Sequence, residues 1–258
     1  MTRLNEILTT WGAKPVILVE GKDDLHFYEH FLGGVDANWR VRFGMDYADG
    51  KRFVLQYCKQ RPTWRGVIDR DEWSAAKIAE ETALVPNVQV LPRFTLQNYW
   101  INPDDLLPLL PAEQQIQSSI RQEIDAQRAN WVLHGALWRV MLNRRRGLEE
   151  LNFPRELMQS PITDENQIRR ILTQWHQQLS PEAIMDEYRL EQTRAAVCVP
   201  GDQYNLVIHG KMFFKEVVVP AMNRTLRQKA ASIWEKELTR KMKMPGDLLP
   251  VVMQLLKL

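Results

Sequence analysis

The sequence predicts an α/β fold: a Rossmann-like core with a mostly parallel sheet, followed by a largely α-helical C-terminal region. From residue 15 to about residue 92, short β-branched runs alternate with amphipathic stretches, and strands separated by helical crossovers pair in parallel. After Pro103 the patterns are helical, with proline or glycine at their boundaries. We therefore expect an α/β domain over residues 1–108 and a helical domain over residues 109–258.

The elements of the predicted sheet follow one another at short intervals. The β-branched run Val16–Val19 predicts the first strand, and apolar residues at helical spacing predict a helix directly after it. The same reasoning predicts strands at residues 39–43, 66–69 and 88–91, and helices at residues 23–32, 51–59 and 73–83. In the second half, helical patterns cover residues 104–110, 112–145, 164–179, 181–194, 210–222, 224–242 and 246–256.

The composition excludes several classes of protein. Of the 258 residues, 45% are hydrophobic, which is enough for a packed core and argues against a disordered chain. No run of eighteen apolar residues occurs and the N-terminus lacks the pattern of a signal peptide, so we expect a cytoplasmic protein without membrane contact. Cys58 and Cys198 lie far apart, which favours neither a disulfide framework nor a zinc ribbon.

The net charge of +2 says little about partners, because 34 basic residues nearly balance 32 acidic ones. Basic residues concentrate in two stretches, residues 139–146 and residues 224–243, the second interrupted by Glu235 and Glu237. Such clusters suit a polyanion, and they are equally typical of a solvated helix surface. The charge pattern alone therefore leaves nucleic-acid contact open.

Acidic side chains follow two of the predicted strands. Glu20 and Gly21 come directly after Val16–Val19, and Asp69 and Asp71 follow the third strand about fifty residues later. Because the carboxyl ends of parallel strands meet at one edge of the sheet, we expect these carboxylates to converge. Grouped carboxylates repel one another unless a divalent cation such as Mg²⁺ or Mn²⁺ lies between them. The sequence therefore predicts metal-dependent phosphate chemistry.

Asp24 is a further candidate ligand. It follows Glu20 by four residues and falls in the first turn of the next predicted helix. The alternative is that Asp23 or Asp24 caps that helix, and for Asp23 we favour the cap. Taken alone, Glu20 is better explained as a strand-end carboxylate in water, and the second acidic segment is what favours a site.

The spacing of these motifs resembles the TOPRIM domain of topoisomerases, bacterial primases and overcoming-lysogenization-defect (OLD) nucleases. The resemblance covers residues 14–100 and rests on the strand that ends in glutamate and the later strand that ends in an Asp-x-Asp pair. It implies that Glu20, Asp69 and Asp71 bind Mg²⁺ beside a phosphodiester. The pairing of Glu20 with Asp24 is similar to the OLD-type nucleases in particular, which makes Asp24 a fourth metal ligand by resemblance.

The segment from Leu91 to Trp100 resembles the stretch that follows the fourth strand in stand-alone OLD-like TOPRIM proteins. That branch commonly reads Glu-Asn-Tyr, whereas this chain has Gln97 and Asn98 before its tyrosine. These two amides could hydrogen-bond the metal ligands or the substrate, and an equally good alternative is that they cap the turn before Pro103.

A lysine completes the site in OLD-type nucleases. The Gly-Lys pair that opens a predicted helix here is similar to that element and assigns Lys211 to neutralising charge on the phosphate, with Lys215 as the alternate. Glu72, at the entrance of the helix after the Asp-x-Asp pair, could support the same site. Without the resemblance, either lysine is read as a solvent-facing helix residue.

The chain lacks the P-loop pattern, so we expect no ATP hydrolysis by the chain itself. Stand-alone relatives resemble the toxic effector subunit of PARIS anti-phage defence systems. That resemblance implies an endonuclease that cleaves host RNA rather than DNA, with transfer RNA the leading candidate. It also implies an ABC-type ATPase scaffold that holds and releases the effector, and a homodimer when active.

The main alternative is a non-catalytic TOPRIM binding module that docks on an ATPase or on nucleic acid. A third hypothesis, primase-like polymerisation, is disfavoured because no zinc-ribbon pattern accompanies the core.

Overall fold

The computed structural model describes residues 2–159 and 164–257. It confirms an α/β fold with a parallel sheet followed by a largely helical C-terminal region. The strands of the sheet are β1 (Val16–Val19), β2 (Gly44–Tyr47), β3 (Arg65–Ile68) and β4 (Val88–Val90). They pair in parallel in the order β2-β1-β3-β4.

Helices occupy most of the remaining described chain. Those up to the end of the predicted α/β domain are Arg3–Trp11, Leu25–Val35, Trp39–Arg42, Lys51–Gln60, Ala75–Leu84, Asn98–Ile101 and Pro103–Leu106, with 3-10 turns at Lys22–Asp24 and Leu107–Leu109. Later α-helices are Gln114–Glu150, Arg155–Gln159, Glu165–Gln178, Pro181–Ala196, Pro200–Asp202, Gly210–Phe213, Val219–Thr225, Ala231–Lys241 and Leu249–Leu255. Two π-helical turns lie at Gln203–Val207 and Phe214–Val218. Across the two described ranges, no helix combines the length and the apolar character that a membrane crossing needs.

The predicted second strand, residues 39–43, is wrong. Trp39–Arg42 forms a single helical turn, and the strand begins immediately afterwards at Gly44. The alternation of apolar and charged residues in this segment imitates a strand, but Val41 is 77% exposed and does not share the burial of Trp39. The strand in the structure contains glycine and aspartate, which are depleted in strands, so its composition does not predict a strand.

The first strand lies at the centre of the packed core. All four residues of β1 are fully buried, as expected for a parallel strand that is covered on both faces. The core around it includes Ile7 from the first helix, Val54 and Tyr57 from Lys51–Gln60, and Trp64 before β3. The residues that follow β1 are therefore fixed by the best-packed part of the sheet.

The strand order creates a topological switch point between β1 and β3. The chain leaves β1 to add β2 on one side and then returns to add β3 and β4 on the other. Ligands of open α/β sheets bind in the crevice at such a point, beyond the carboxyl ends of the strands. Leu18 pairs with Gly66 in this ladder, so the residues after the two strands emerge side by side.

Contacts divide the chain into two compact units. One contains the sheet and consists of the chain up to Asp125 together with the chain from Gly210 onward, and the other spans Ala126–His209. In the second unit, Gly135 lies so close to Val207 that an added Cβ would meet its carbonyl oxygen at 2.2 Å. These units are defined by contacts, whereas a domain is defined by its ability to fold independently. The division into domains at residues 1–108 and 109–258 therefore stays a prediction.

Replacing Gly66 by alanine should destabilise the sheet. A Cβ at this position would lie 2.6 Å from Cγ1 of Val54 and 3.0 Å from Sγ of Cys58, on the helix that covers β3. Overpacking of this kind costs about 1–3 kcal/mol, and thermal or denaturant unfolding followed by circular dichroism measures it.

Gly34→Ala is the matched control for that substitution. Gly34 lies in the helix Leu25–Val35, and nothing lies within 4 Å of an added Cβ. Alanine has the higher helix propensity, so this variant should be at least as stable as the wild type. Equal stability of the wild type and Gly66→Ala would contradict the close packing described here.

Candidate functional site

Glu20 and Asp69 meet at the switch point. Glu20 follows β1 and Asp69 follows β3, and Oε1 of Glu20 accepts a hydrogen bond of 2.7 Å from the backbone N–H of Asp69. The glutamate carboxylate thus spans the gap between the two strands. The register of β1 and β3, set by buried residues, is what holds the two groups at this distance.

The loop after β4 closes over the Asp-x-Asp segment. Oδ1 of Asp69 accepts a hydrogen bond of 3.1 Å from the backbone N–H of Leu96, and the N–H of Asp71 donates to the carbonyl oxygen of Phe94 at 2.7 Å. Asp71 has a φ of 49°, a left-handed conformation that few residues other than glycine and Asp/Asn adopt. The direction of its side chain is therefore imposed by the turn.

Lys51 is a functional candidate that the sequence reasoning missed. Its Nζ lies 2.6 Å from Oδ2 of Asp71, and it also lies 4.5 Å from the ring centroid of Trp73. Lys51 begins the helix that follows β2, so it reaches the same sheet edge as the acids. The local signal for Lys51 is the segment Asp49-Gly50-Lys51, a turn followed by a cation, and a strand predicted at residues 39–43 does not bring this turn to the sheet edge.

Asp24 turns back toward the end of β1. Its Oδ2 accepts a hydrogen bond of 2.9 Å from the N–H of Gly21, within the turn Lys22–Asp24. Of the two aspartates in this turn, Asp24 rather than Asp23 makes the side-chain bond to the backbone. Asp24 thus acts as the local cap, and it remains a candidate ligand through its other oxygen.

Burial and mutual repulsion raise the pKa values of three of these acids. Burial raises the pKa of Glu20 to about 7; the charge of Lys51 opposes this effect, and Asp71 adds to it. Burial also raises the pKa of Asp69 well above its ordinary value, and the nearby charges of Glu20, Asp24 and Asp71 add to the shift. For Asp24 the shift is again upward and caused by burial. These carboxylates influence one another as expected for a shared site.

The donor chemistry fits Mg²⁺ or Mn²⁺. All four predicted ligands are carboxylates, and the hydrogen bonds and ion pair just described engage one oxygen of each. A divalent cation would relieve the repulsion that adds to the effect of burial on the pKa values of Glu20 and Asp69. As placed, however, no three acidic, histidine or cysteine side chains in residues 2–159 and 164–257 form a group that could hold an ion. The ligands fit in kind, and their convergence on one ion stays a prediction.

Gly210, the residue before Lys211, packs closely on the side chains of Asn98 and Thr95. An added Cβ on Gly210 would lie 2.3 Å from Oδ1 of Asn98 and 2.6 Å from Oγ1 of Thr95, so only glycine permits this approach. Lys211 follows directly, and its charge lowers the pKa of Asp24 against the dominant effect of burial. Lys211 therefore lies within electrostatic reach of the candidate site.

Asn98 has a structural task. It is fully buried, and its Oδ1 accepts hydrogen bonds of 2.7 Å from both the N–H and the hydroxyl of Thr95. The carbonyl oxygen of this amide thus stabilises the turn at residues 95–98.

Gln97 contacts an acid that the sequence reasoning did not select. Its side chain donates a hydrogen bond to Glu235 in the helix Ala231–Lys241. Burial raises the pKa of Glu235, the bond from Gln97 opposes this shift, and the charges of Lys211 and Asp24 are also felt there. In the sequence, Glu235 stands out only because it interrupts the basic stretch 224–243. That feature does not indicate which part of the fold the glutamate contacts.

The two remaining candidates differ in environment. Glu72 is buried, with 7% exposure, directly after the Asp-x-Asp segment. The side chain of Lys215 is 72% exposed and lies 3.8 Å from the carboxylate of Glu216. Lys211 is exposed as well, and it is the better candidate of the two lysines because its charge acts on Asp24 and Glu235.

The two basic stretches are partly neutralised within the chain. Arg144 lies 2.8 Å from Glu187, and Lys229 lies 2.5 Å from Glu237. Arg224 also forms an ion pair, with Glu123. Because these charges have intramolecular partners, the stretches do not by themselves define a nucleic-acid surface.

Comparison with known proteins gives no family for this chain: no family model matches it, and no curated protein matches it. The resemblance to TOPRIM domains therefore rests on the motif residues of the chain itself.

Replacing Glu20 by glutamine should reduce the pH dependence of stability in metal-free buffer. Because the pKa of Glu20 is raised from 4.5 to about 7 on folding, the folded state binds more protons than the unfolded state between these values. The free energy of unfolding therefore falls as the pH rises through this range. We expect the melting temperature in EDTA to fall less steeply for Glu20→Gln, which keeps the Oε1 acceptor.

The matched control is Glu113→Gln, at an exposed glutamate outside the site. Its melting curve against pH should follow that of the wild type. Parallel curves for the wild type and Glu20→Gln would show that Glu20 does not titrate as described.

Proposed function

We propose that this protein is a metal-dependent nuclease that cleaves phosphodiester bonds with Mg²⁺ or Mn²⁺. The observation that carries the proposal is the 2.7 Å bond between Glu20 and the backbone of Asp69, at the switch point of the parallel sheet. It supports a shared acidic site at the position where open α/β sheets bind ligands.

Four carboxylates would hold the metal: Glu20, Asp24, Asp69 and Asp71. A bound divalent ion lowers the pKa of water and stabilises negative charge on phosphate oxygens. Glu20 and Asp69 are fixed by the sheet, so the ligands are oriented before substrate binds. Lys211, which belongs to the C-terminal part of the same compact unit, would neutralise charge on the phosphate.

The biological setting follows from the resemblance to stand-alone TOPRIM effectors. By that resemblance we propose RNA as the substrate class, with host transfer RNA the leading candidate, and an anti-phage role. The same resemblance supports an ABC-type ATPase partner that holds the protein inactive and a homodimer after release.

A second candidate function is a non-catalytic module that docks on an ATPase or on nucleic acid. The observation in its favour is that the described acids, as placed, form no group of three around a common ion position. Each predicted ligand already has a partner within the chain, as a purely structural network would require.

An activity assay on purified protein separates the two functions. The wild type, Glu20→Ala and Asp69→Ala are incubated with mixed transfer RNA and with plasmid DNA, in Mg²⁺, Mn²⁺ or EDTA. We expect metal-dependent cleavage by the wild type, and a loss in both variants larger than the roughly 10–100-fold typical of residues that only support metal ligands. Glu113→Ala, at an exposed position, should retain full activity.

The assay is repeated with the ATPase partner and its trigger, because a held effector would be silent alone. Absence of cleavage under all these conditions would refute the nuclease and favour the docking module. Expression in cells gives a second readout, because toxicity that disappears in Glu20→Ala requires the acidic site.

A further inference from the structure

We propose that Lys51 takes the place of a second metal ion at Asp71, so that the site binds one divalent cation per chain. The inference rests on the function proposed above and specifies how its metal site is built. Its starting point is the ammonium group that contacts the second aspartate of the Asp-x-Asp segment.

The ammonium of Lys51 is held from two directions. Nζ lies 2.6 Å from Oδ2 of Asp71 and 4.5 Å from the ring centroid of Trp73. The side chain of Lys51 is 15% exposed, whereas a typical surface lysine is mostly solvated. A charge-assisted bond and a cation–π contact together fix the position of this cation.

The backbone that carries Lys51 is anchored to the backbone that carries the acids. The N–H of Gly50, the residue before Lys51, donates a 2.9 Å hydrogen bond to the carbonyl oxygen of Glu20. The helix Lys51–Gln60 then packs closely on β3 at Gly66. Lys51 therefore begins its helix at the same sheet edge as Glu20, and its position is built into the fold.

The charges favour a single divalent ion. Glu20, Asp24, Asp69 and Asp71 contribute four negative charges when ionised, and the two lysines whose charges act on them, Lys51 and Lys211, leave two, which one divalent cation neutralises. The charge of Lys51 acts on both Glu20 and Asp69, where it opposes the rise in pKa that burial causes. A second divalent ion beside Asp71 would be repelled by the ammonium.

The geometry leads to the same conclusion. Mg²⁺ binds carboxylate oxygens at about 2.0–2.1 Å and requires near-octahedral coordination. Oδ2 of Asp71 is already engaged by the ammonium, which leaves Oδ1 as the oxygen of this carboxylate that would bind a metal. A lysine at this place supplies a positive charge that cannot dissociate into solution as a bound metal ion does, because the lysine is part of the chain.

The test is the number of Mn²⁺ ions bound per full-length chain, measured by isothermal titration calorimetry and by electron paramagnetic resonance. The variants are Lys51→Met, which removes the charge and keeps the length, and Lys51→Arg, which keeps the charge. Lys59→Met is the matched control, because Lys59 is an exposed lysine of the same helix. Circular dichroism verifies that each variant melts cooperatively.

We expect one bound ion for the wild type, Lys51→Arg and Lys59→Met, and two for Lys51→Met. Two ions in the wild type would overturn the inference and leave the proposed nuclease standing, and this result does not depend on whether any variant folds. One ion in a folded Lys51→Met would also overturn it. No bound ion in the wild type would overturn the metal-dependent function and this inference together.

Discussion

The candidate site depends on a register that close packing of the core fixes. The four residues of β1 are fully buried, and Leu18 pairs with Gly66 of β3. A slip of β3 in this pairing would bring a residue with a side chain to the place of Gly66, where even a Cβ would lie 2.6 Å from Cγ1 of Val54, so close packing specifies the register. The acids that follow the strands inherit this precision, and the carboxylate of Glu20 reaches the N–H of Asp69. Close packing of apolar side chains thus determines where buried charge must lie.

That arrangement has an electrostatic cost, and the fold offsets it locally. Burial raises the pKa values of Glu20, Asp24 and Asp69, which means that their ionised forms are disfavoured. Backbone N–H groups and two lysines, Lys51 and Lys211, act in the opposite direction. A buried group of like charges that is only partly compensated is typical of a binding or catalytic site.

The sequence predicts some parts of this site and not others, for identifiable physical reasons. The positions of Glu20 and Asp69 can be predicted from the sequence, because a fully buried strand is a local, β-branched run and its last residue can be identified. The position of Lys51 cannot, because β2 contains Gly44 and Asp46 and the neighbouring residues imitate a strand better. Glu235 reaches Gln97 across more than a hundred residues of sequence, and no local pattern encodes such a contact. Acidic motifs at strand ends can therefore be predicted from the sequence, whereas charged residues that join the site from other segments, such as Lys51 and Glu235, cannot.

The residues from Gly210 onward belong to the same compact unit as the sheet, so the backbone that carries Lys211 lies in the unit that carries the acids. Arg65, the first residue of β3, donates a 3.0 Å hydrogen bond from its Nε to the carbonyl oxygen of Lys257, and Arg42 reaches Leu256 at the same distance. The helix Leu249–Leu255 packs near β3 and β4 in the same unit. Docking of the C-terminal helices on the sheet thus fixes the backbone of the segment from Gly210 onward in the unit that contains Glu20, whereas the side chain of Lys211 itself lies at an exposed position.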